Sequence, residues 1–227
     1  MKRISKKPAE RRQEILNKAL SLFIELGYRK TSVERIITEL DLAKGTFYYY
    51  FKSKADLMEA LADQHAEAHY ARWKKIIDRQ DINAVQKLNL VFKNSMNLKL
   101  ENKQLIVAYL KAMVDDQNIM LRYKLDEKRN QVAAELLGQV VEQGVDEGLL
   151  DTPHPRESIM MALKLAGAMT DELVPLLLNM FQDASYIQSV KEKYNTLTFA
   201  MERILGAPSG TIYFFDEADL DAFAGIT

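Results

Sequence analysis

The chain has no cysteine in 227 residues, five prolines, nine glycines, three histidines and one tryptophan. Without cysteine there is neither a disulfide framework nor a thiol nucleophile, which fits a reducing, cytoplasmic setting. So few prolines and glycines leave long stretches free of helix breakers. Apolar residues recur at helical spacing almost throughout, and an all-α protein is expected. No run of 18 or more apolar residues appears, so no membrane span is expected. The basic start has no apolar segment and does not read as a secretory signal. His65 and His69 lie four apart, a spacing that can hold a metal, but the text is HAEAH rather than HExxH. Glu67 points to another face and His154 is far along the chain, so the pair reads as exposed helix surface and no metal is expected. No glycine loop suited to phosphate and no serine nucleophile motif is present. Neither a catalytic residue nor a cofactor is expected.

Charge is unevenly placed. Residues 1–54 carry 13 Lys and Arg against 6 Asp and Glu, a net of +7, while the remainder nets −8. The overall charge of −1 therefore conceals a basic head on an acidic body, an asymmetry suited to nucleic-acid contact at one end. The start MKRISKKPAERR reads as a basic arm, either solvated or ordered against DNA.

Within the head, residues 31–54, TSVERIITELDLAKGTFYYYFKSK, read as two short helices across a tight turn. Gly27 suits the C-terminal cap of the preceding helix. Thr31 and Ser32 offer N-capping hydroxyls, and Thr31 with Glu34 fits a capping box. Val33, Ile36, Ile37 and Leu40 make one apolar face. Asp41 breaks the pattern and Leu42 returns toward the core. Phe47 and Phe51 share an inward face, which frees Lys44, Thr46, Tyr48 and Tyr49 to point elsewhere. Ser53 is placed to cap the next helix. This is the layout of a helix-turn-helix, with hydroxyls and lysines for phosphates and groove-facing side chains for bases.

The segment GTFYYYFKSKADLMEAL resembles the signature of the TetR/AcrR family of one-component regulators, and RRQEILNKALSLFIELGYRKTSVERI resembles that family's first helix and its junction. The resemblance covers about residues 8–60. It implies that Lys44, Gly45, Thr46 and Tyr48 face bases and that Thr31, Ser32, Tyr49 and Lys54 hold phosphates. One departure is Asp41, where the family often has glycine. Aspartate tolerates the left-handed conformation better than most residues, so the turn is expected to survive.

The body reads as six or so further helices: Lys54 to about Arg79, about Asn83 to Leu98, about Lys103 to Met113, a long helix ending near Glu147 with Gly148 as cap, Arg156 to Phe181, and one from Asp183 to Leu205. Pro175 should kink the fifth or end it early. That helix is apolar nearly all round, which calls for cover on every side. A second subunit is the simpler source of it, with Leu165, Met169, Val190, Tyr194 and Leu197 in the interface. The resemblance implies the same arrangement, a four-helix dimer contact.

Trp73, Met96, Tyr109, Met113, Tyr123 and Met169 are the candidates to line an effector pocket, each of them also plausible as plain core. Lys164 and Asp171 share a face, and if buried they need partners. The domains expected are 1–53, a helix-turn-helix DNA-binding head; 54–206, a helical effector-binding and dimerisation body; and 207–227, a tail that either folds over the body, stays loose or docks a partner. The expected function is a homodimeric, ligand-responsive transcriptional regulator, most simply a repressor released from a near-palindromic double-stranded operator by a small organic effector. A helical protein-interaction module and an activator are the alternatives.

Overall fold

A computed structural model describes residues 7–96, 110–111, 114–214 and 221. Nine α-helices lie among the described residues. They are α1 (Pro8–Leu26), α2 (Val33–Glu39), α3 (Lys44–Tyr50), α4 (Lys54–Ile77), α5 (Ala84–Met96), α6 (Ile119–Asp146), α7 (Pro155–Ala168), α8 (Thr170–Met180) and α9 (Ile187–Leu205). Short 3₁₀ turns at Asp116–Asn118 and Ala184–Tyr186 lead into α6 and α9. The helix expected over Lys103–Met113 lies outside the described residues apart from Leu110, which is buried, and Lys111.

Local signals explain most boundaries. Pro8 opens α1 at a position where its missing N–H costs nothing. Ser53 caps α4 by accepting the Asp56 N–H at 3.0 Å. Gly148 and Gly206, with φ of 69° and 64°, supply left-handed turns after α6 and α9. Asp183 caps the 3₁₀ turn before α9, accepting the Ser185 N–H at 2.9 Å.

The single helix expected from Arg156 to Phe181 is two helices. The break falls at Met169, six residues before Pro175, and Pro175 itself sits inside α8. The all-round apolar pattern is thus shared between two shorter helices with different neighbours. Asp171, at the start of α8, pairs with Arg122 of α6, while Lys164 is exposed.

Two apolar cores organise the chain. The first gathers Ile15, Leu16 and Phe23 of α1, Ile36, Phe47 and Phe51 around the helix-turn-helix, Leu57 to Ala62 of α4, and Leu121 and Leu125 of α6. The head core therefore continues well past residue 53. The second fills the body, from Trp73 and Ile77 of α4 through α5, α6, α7 and α8 to α9. Ala207, Ile212 and Phe214 belong to it, so the first part of the tail is packed structure. Buried Asn89 donates to the Thr211 carbonyl and accepts from the Tyr213 N–H, much as a neighbouring strand would. Buried Glu202 accepts the N–H groups of Thr211 and Ile212, and the Phe214 ring stacks on Phe92 at 4.9 Å. Apart from residue 221, whose Asp221 pairs with Lys191 at 3.0 Å, the acidic end of the tail lies outside the described residues.

α4 spans both cores, so it joins head to body. Along its outer side Glu59 and Asp63 pair with Lys128 of α6 at 2.9 and 3.0 Å, and Glu59 also reaches Lys124 at 3.4 Å.

Candidate nucleic-acid interface

The turn between α2 and α3 is built by Asp41, which is left-handed at φ 47°. Its N–H bonds to the Thr38 carbonyl and the Leu42 N–H reaches back to Ile37 O, the paired bonds of a Schellman motif. Leu42 and Ile37 both pack on the head core, the apolar contact that accompanies this motif. Aspartate thus performs the expected role of glycine here.

α3 follows at once and divides by face. Phe47 and Phe51 are buried, with ring centroids 5.9 Å apart, and Arg12 of α1 lies over the Phe51 ring at 5.2 Å. On the outer side Lys44, Gly45, Tyr48 and Tyr49 are exposed and Thr46 is half-buried. Tyr49 reaches 77% exposure, which is high for so large a ring, and its contact is an edge-to-face packing on Tyr50 at 4.9 Å that leaves most of it open to solvent. A Cβ built on Gly45 meets nothing within 4 Å. Arg29, Lys30 and Lys52 are also exposed on the flanking turns. They were not among the expected site residues, because charge alone does not say which face of a turn will carry it.

Three expected phosphate ligands need separate treatment. Ser32 is exposed and is the N-cap of α2, accepting the Arg35 N–H at 3.0 Å. Its position at a helix N-terminus suits an anion. Thr31 is a correction: at 0% exposure, its hydroxyl donates to Gly27 O at 2.9 Å and lies 3.2 Å from Leu22 O. It neither caps α2 nor reaches a phosphate, because the chain reversal after α1 consumes its polar atoms. Lys54 turns back into the head, donating to Tyr28 O at 2.8 Å and Thr31 O at 3.0 Å, with its ammonium 4.3 Å from the Tyr28 ring. Burial lowers its pKa from the usual lysine range. Its charge is spent on the α1–α2 turn.

In the body, the expected effector ligands are only partly brought together. Trp73 is buried in the body core and half-buried Met169 packs on the same core. Tyr123 is a correction, since it lies on the outer face of α6 at 61% exposure. Tyr109 and Met113 lie outside the described residues, as does the side chain of Met96.

The expected subunit contact is corrected as well. Val190, Tyr194 and Leu197 are buried inside the chain's own body core, where no second subunit can touch them. Burial also pushes the Tyr194 phenol up, well above the usual tyrosine range. Leu165 and Met169 remain half-buried, and on α7 and α9 the large apolar side chains most open to solvent are Met161, 63% exposed, and Phe199, 58% exposed.

His65 and His69 are not exposed helix surface. They meet on the inner side of α4, with His69 buried and its ring 5.0 Å from Trp73. Among the described residues no group of three or more His, Cys, Asp or Glu is placed to hold a metal, and no helix is long and apolar enough to cross a membrane.

Comparison with known proteins bears on this site directly. Residues 15–61, which run from the buried face of α1 through α2 and α3 into α4, match the profile of the bacterial regulatory proteins of the tetR family. The chain is similar to the HTH-type transcriptional repressor KstR2 of Mycobacterium tuberculosis, 27% identical over 152 residues that cover 65% of this chain and 73% of that protein. Its fold resembles that of reduced NemR from Escherichia coli, with a TM-score of 0.59 at 19% identity, covering 88% of this chain and 99% of the other. It also resembles the transcriptional regulator FadR of Bacillus subtilis, crystallised with stearoyl-CoA, with a TM-score of 0.58 at 21% identity, covering 86% of this chain and 98% of the other. With the profile falling on a helix-turn-helix whose outer face is bare, and with a helical body behind it, residues 15–61 match the DNA-binding head of the tetR family and the chain as a whole is similar to TetR-family transcriptional regulators.

Proposed function

We propose that the protein is a homodimeric repressor that leaves a near-palindromic operator when a small organic effector enters its body. The observation that carries the reading is the outer face of α3, where Lys44, Gly45, Tyr48 and Tyr49 are exposed above an anchor of Phe47 and Phe51. Lys44, Gly45, Thr46 and Tyr48 address base edges, while Ser32, Tyr49 and the flanking Arg29, Lys30 and Lys52 address phosphates. Two such heads reading successive major grooves need half-sites about one helical turn apart, hence the near-palindrome. Met161, Leu165 and Phe199 supply the outward apolar side chains of a contact between α7 and α9 of two subunits.

The effector reading draws on the architecture and on the relatives. α4 runs from the end of α3 into the body core, so a displacement of its far end tilts the head. The similarity to a protein named as a repressor favours repression, and the FadR structure contains stearoyl-CoA, which makes a long-chain acyl thioester the first compound to try. An effector weakens DNA binding only by preferring the conformation in which the heads do not fit.

The test is to enrich duplexes from a random library with the full-length protein, then titrate the best of them with and without stearoyl-CoA and a panel of apolar compounds. A near-palindromic consensus and loss of affinity with one compound are expected. Failure to retain any duplex at moderate salt would leave a helical interaction module, and an affinity unmoved by every compound would leave a constitutive DNA-binding protein.

A further inference from the structure

The turn between α1 and α2 is tied to the body at a place far from it in sequence. Gly27 ends α1 at φ 87° and the chain reverses through Tyr28, Arg29 and Lys30. The Tyr28 N–H donates to the side-chain carbonyl of Asn118 at 2.6 Å. The other end of the same amide donates to the Phe23 carbonyl at 3.2 Å. Next to it, the Arg29 N–H donates to the Gln117 backbone carbonyl at 3.0 Å. Asn118 is only 1% exposed, so neither bond has water as a substitute.

Asn118 is itself held firmly. It ends the 3₁₀ turn that leads into α6, its N–H bonded to Asp115 O at 2.8 Å, and the Asp115 carboxylate caps that turn by accepting the Gln117 N–H at 2.7 Å. One and two turns further on, Leu121 and Leu125 insert into the head core. Gly27 is packed so closely on Gln117 that a Cβ there would overlap the Gln117 side chain. On the other side, Lys54 of α4 holds the carbonyls of Tyr28 and Thr31. The segment that presents Arg29, Lys30 and the N-cap Ser32 is therefore clasped between the starts of α4 and α6.

We propose that Asn118 is a positioning residue for DNA binding, bolting the α1–α2 turn to the start of α6 so that the placement of this body helix sets the phosphate-facing end of α2. A primary amide suits the task because one rigid planar group supplies both the acceptor for Tyr28 and the donor for Phe23. This clasp ties the head to the body beside α4, and a shift of α6 reaches the DNA-facing turn without passing through α4. The inference uses only the DNA-binding role of the head and is independent of the effector.

The test uses the full-length protein and the duplex enriched by the wild type, at a temperature well below melting. Asn118→Ala removes both bonds, whereas Asn118→Asp keeps the acceptor for Tyr28 and loses the amide donor to Phe23. Val190→Ala, a truncation in the body core, serves as a control of matched stability loss. The expected result is that Asn118→Ala weakens DNA binding by about tenfold, that Asn118→Asp, which keeps the bond to the α1–α2 turn, weakens it less, and that Val190→Ala loses stability and keeps affinity within about threefold. Equal loss of affinity in Asn118→Ala and Val190→Ala, equal loss in the two Asn118 variants, or no loss in Asn118→Ala would overturn the proposal. Hydrogen exchange of the wild type provides a readout independent of variant folding. By linkage, duplex binding should slow exchange across residues 115–121, which the proposal keeps away from the DNA. Unchanged exchange there would also overturn it. Failure of the wild type to bind any duplex would instead refute the DNA-binding role itself.

Discussion

His65 and His69 face each other on the inner side of α4 with their Nε2 atoms 3.1 Å apart and their rings nearly edge to face. One Nε2 must donate and the other accept. The Arg72 guanidinium lies 3.4 Å from His69 Nδ1 and can only donate, which leaves the His69 proton on Nε2 and makes His65 the acceptor. Burial lowers both pKa values first. Arg129 and Arg72 add to it at His65, and His65, Arg72 and Arg129 add to it at His69, giving about 4 and about 3. Both rings are neutral at pH 7.

That relationship gives the fold an acid limit. In the unfolded chain each ring takes up its proton near pH 6.5, and in the folded chain it does so only near 4 or below. The unfolded state therefore binds more protons across this window. Stability is full above about pH 6.5 and falls as pH drops toward 4, with each ring contributing up to about 1.4 kcal/mol per pH unit. Denaturant unfolding at pH 7.5, 6 and 5 should show the decline, and His65→Gln with His69→Gln should flatten it. A wild-type curve level from pH 7.5 to 5 would contradict the buried pair.

Gly45→Ala should separate folding from DNA binding. The glycine has an ordinary helical backbone and open space where a Cβ would stand, yet glycine costs a helix about 1 kcal/mol relative to alanine. Melting should hold or rise while affinity for the enriched duplex falls, because the clearance serves DNA. Wild-type affinity in the variant would remove Gly45 from the interface.

Lys54 and Tyr49 should part company. Lys54→Ala leaves the Tyr28 and Thr31 carbonyls without their charged donor, so melting should fall, at about 1.5–3 kcal/mol for a charge-assisted bond. Its effect on the salt slope of DNA binding should be small because the ammonium faces inward. Tyr49→Phe should leave melting unchanged and weaken binding. Lys44→Ala should reduce the salt slope by about one unit. A full unit lost in Lys54→Ala with unchanged melting would restore Lys54 as a phosphate ligand.

Subunit association should respond to outward residues and not to inward ones. Phe199→Glu and Met161→Glu should give folded protein that sediments as a monomer at micromolar concentration. Val190→Glu buries a charge in the protomer core and should unfold the body instead. A wild-type monomer under the same conditions would end the dimer reading.

Removing residues 207–227 should destabilise the body while sparing the head. Ile212 and Phe214 are buried against it, and burial of each such side chain is worth about 1.5–3 kcal/mol. Glu202 and Asn89 would also lose their backbone partners. Calorimetry should show a lower melting temperature, and DNA affinity measured well below it should stay close to wild type. An unchanged melting temperature would show that the packed tail is dispensable.

What the sequence determined by itself is the local architecture of the head. Gly27, Ser32, Asp41 and Ser53 place its turns and caps, and the four-residue spacing of Phe47 and Phe51 decides which face of α3 is free. Each of these signals acts within a few residues, through φ preference, a capping oxygen or helical periodicity, and needs no distant partner. Tertiary structure decided what covers what. Periodicity marked α9 as apolar on one face, but only packing shows that Val190, Tyr194 and Leu197 are covered by their own chain and that Phe199 is left outside. The chemistry of Thr31 and Lys54 suited a phosphate equally well, and only the reversal after α1 shows both already bonded to carbonyls. Asn118 carried no signal at all in the sequence, because its partners at Phe23 and Tyr28 lie some ninety residues away and a hydrogen bond has no periodicity to reveal it.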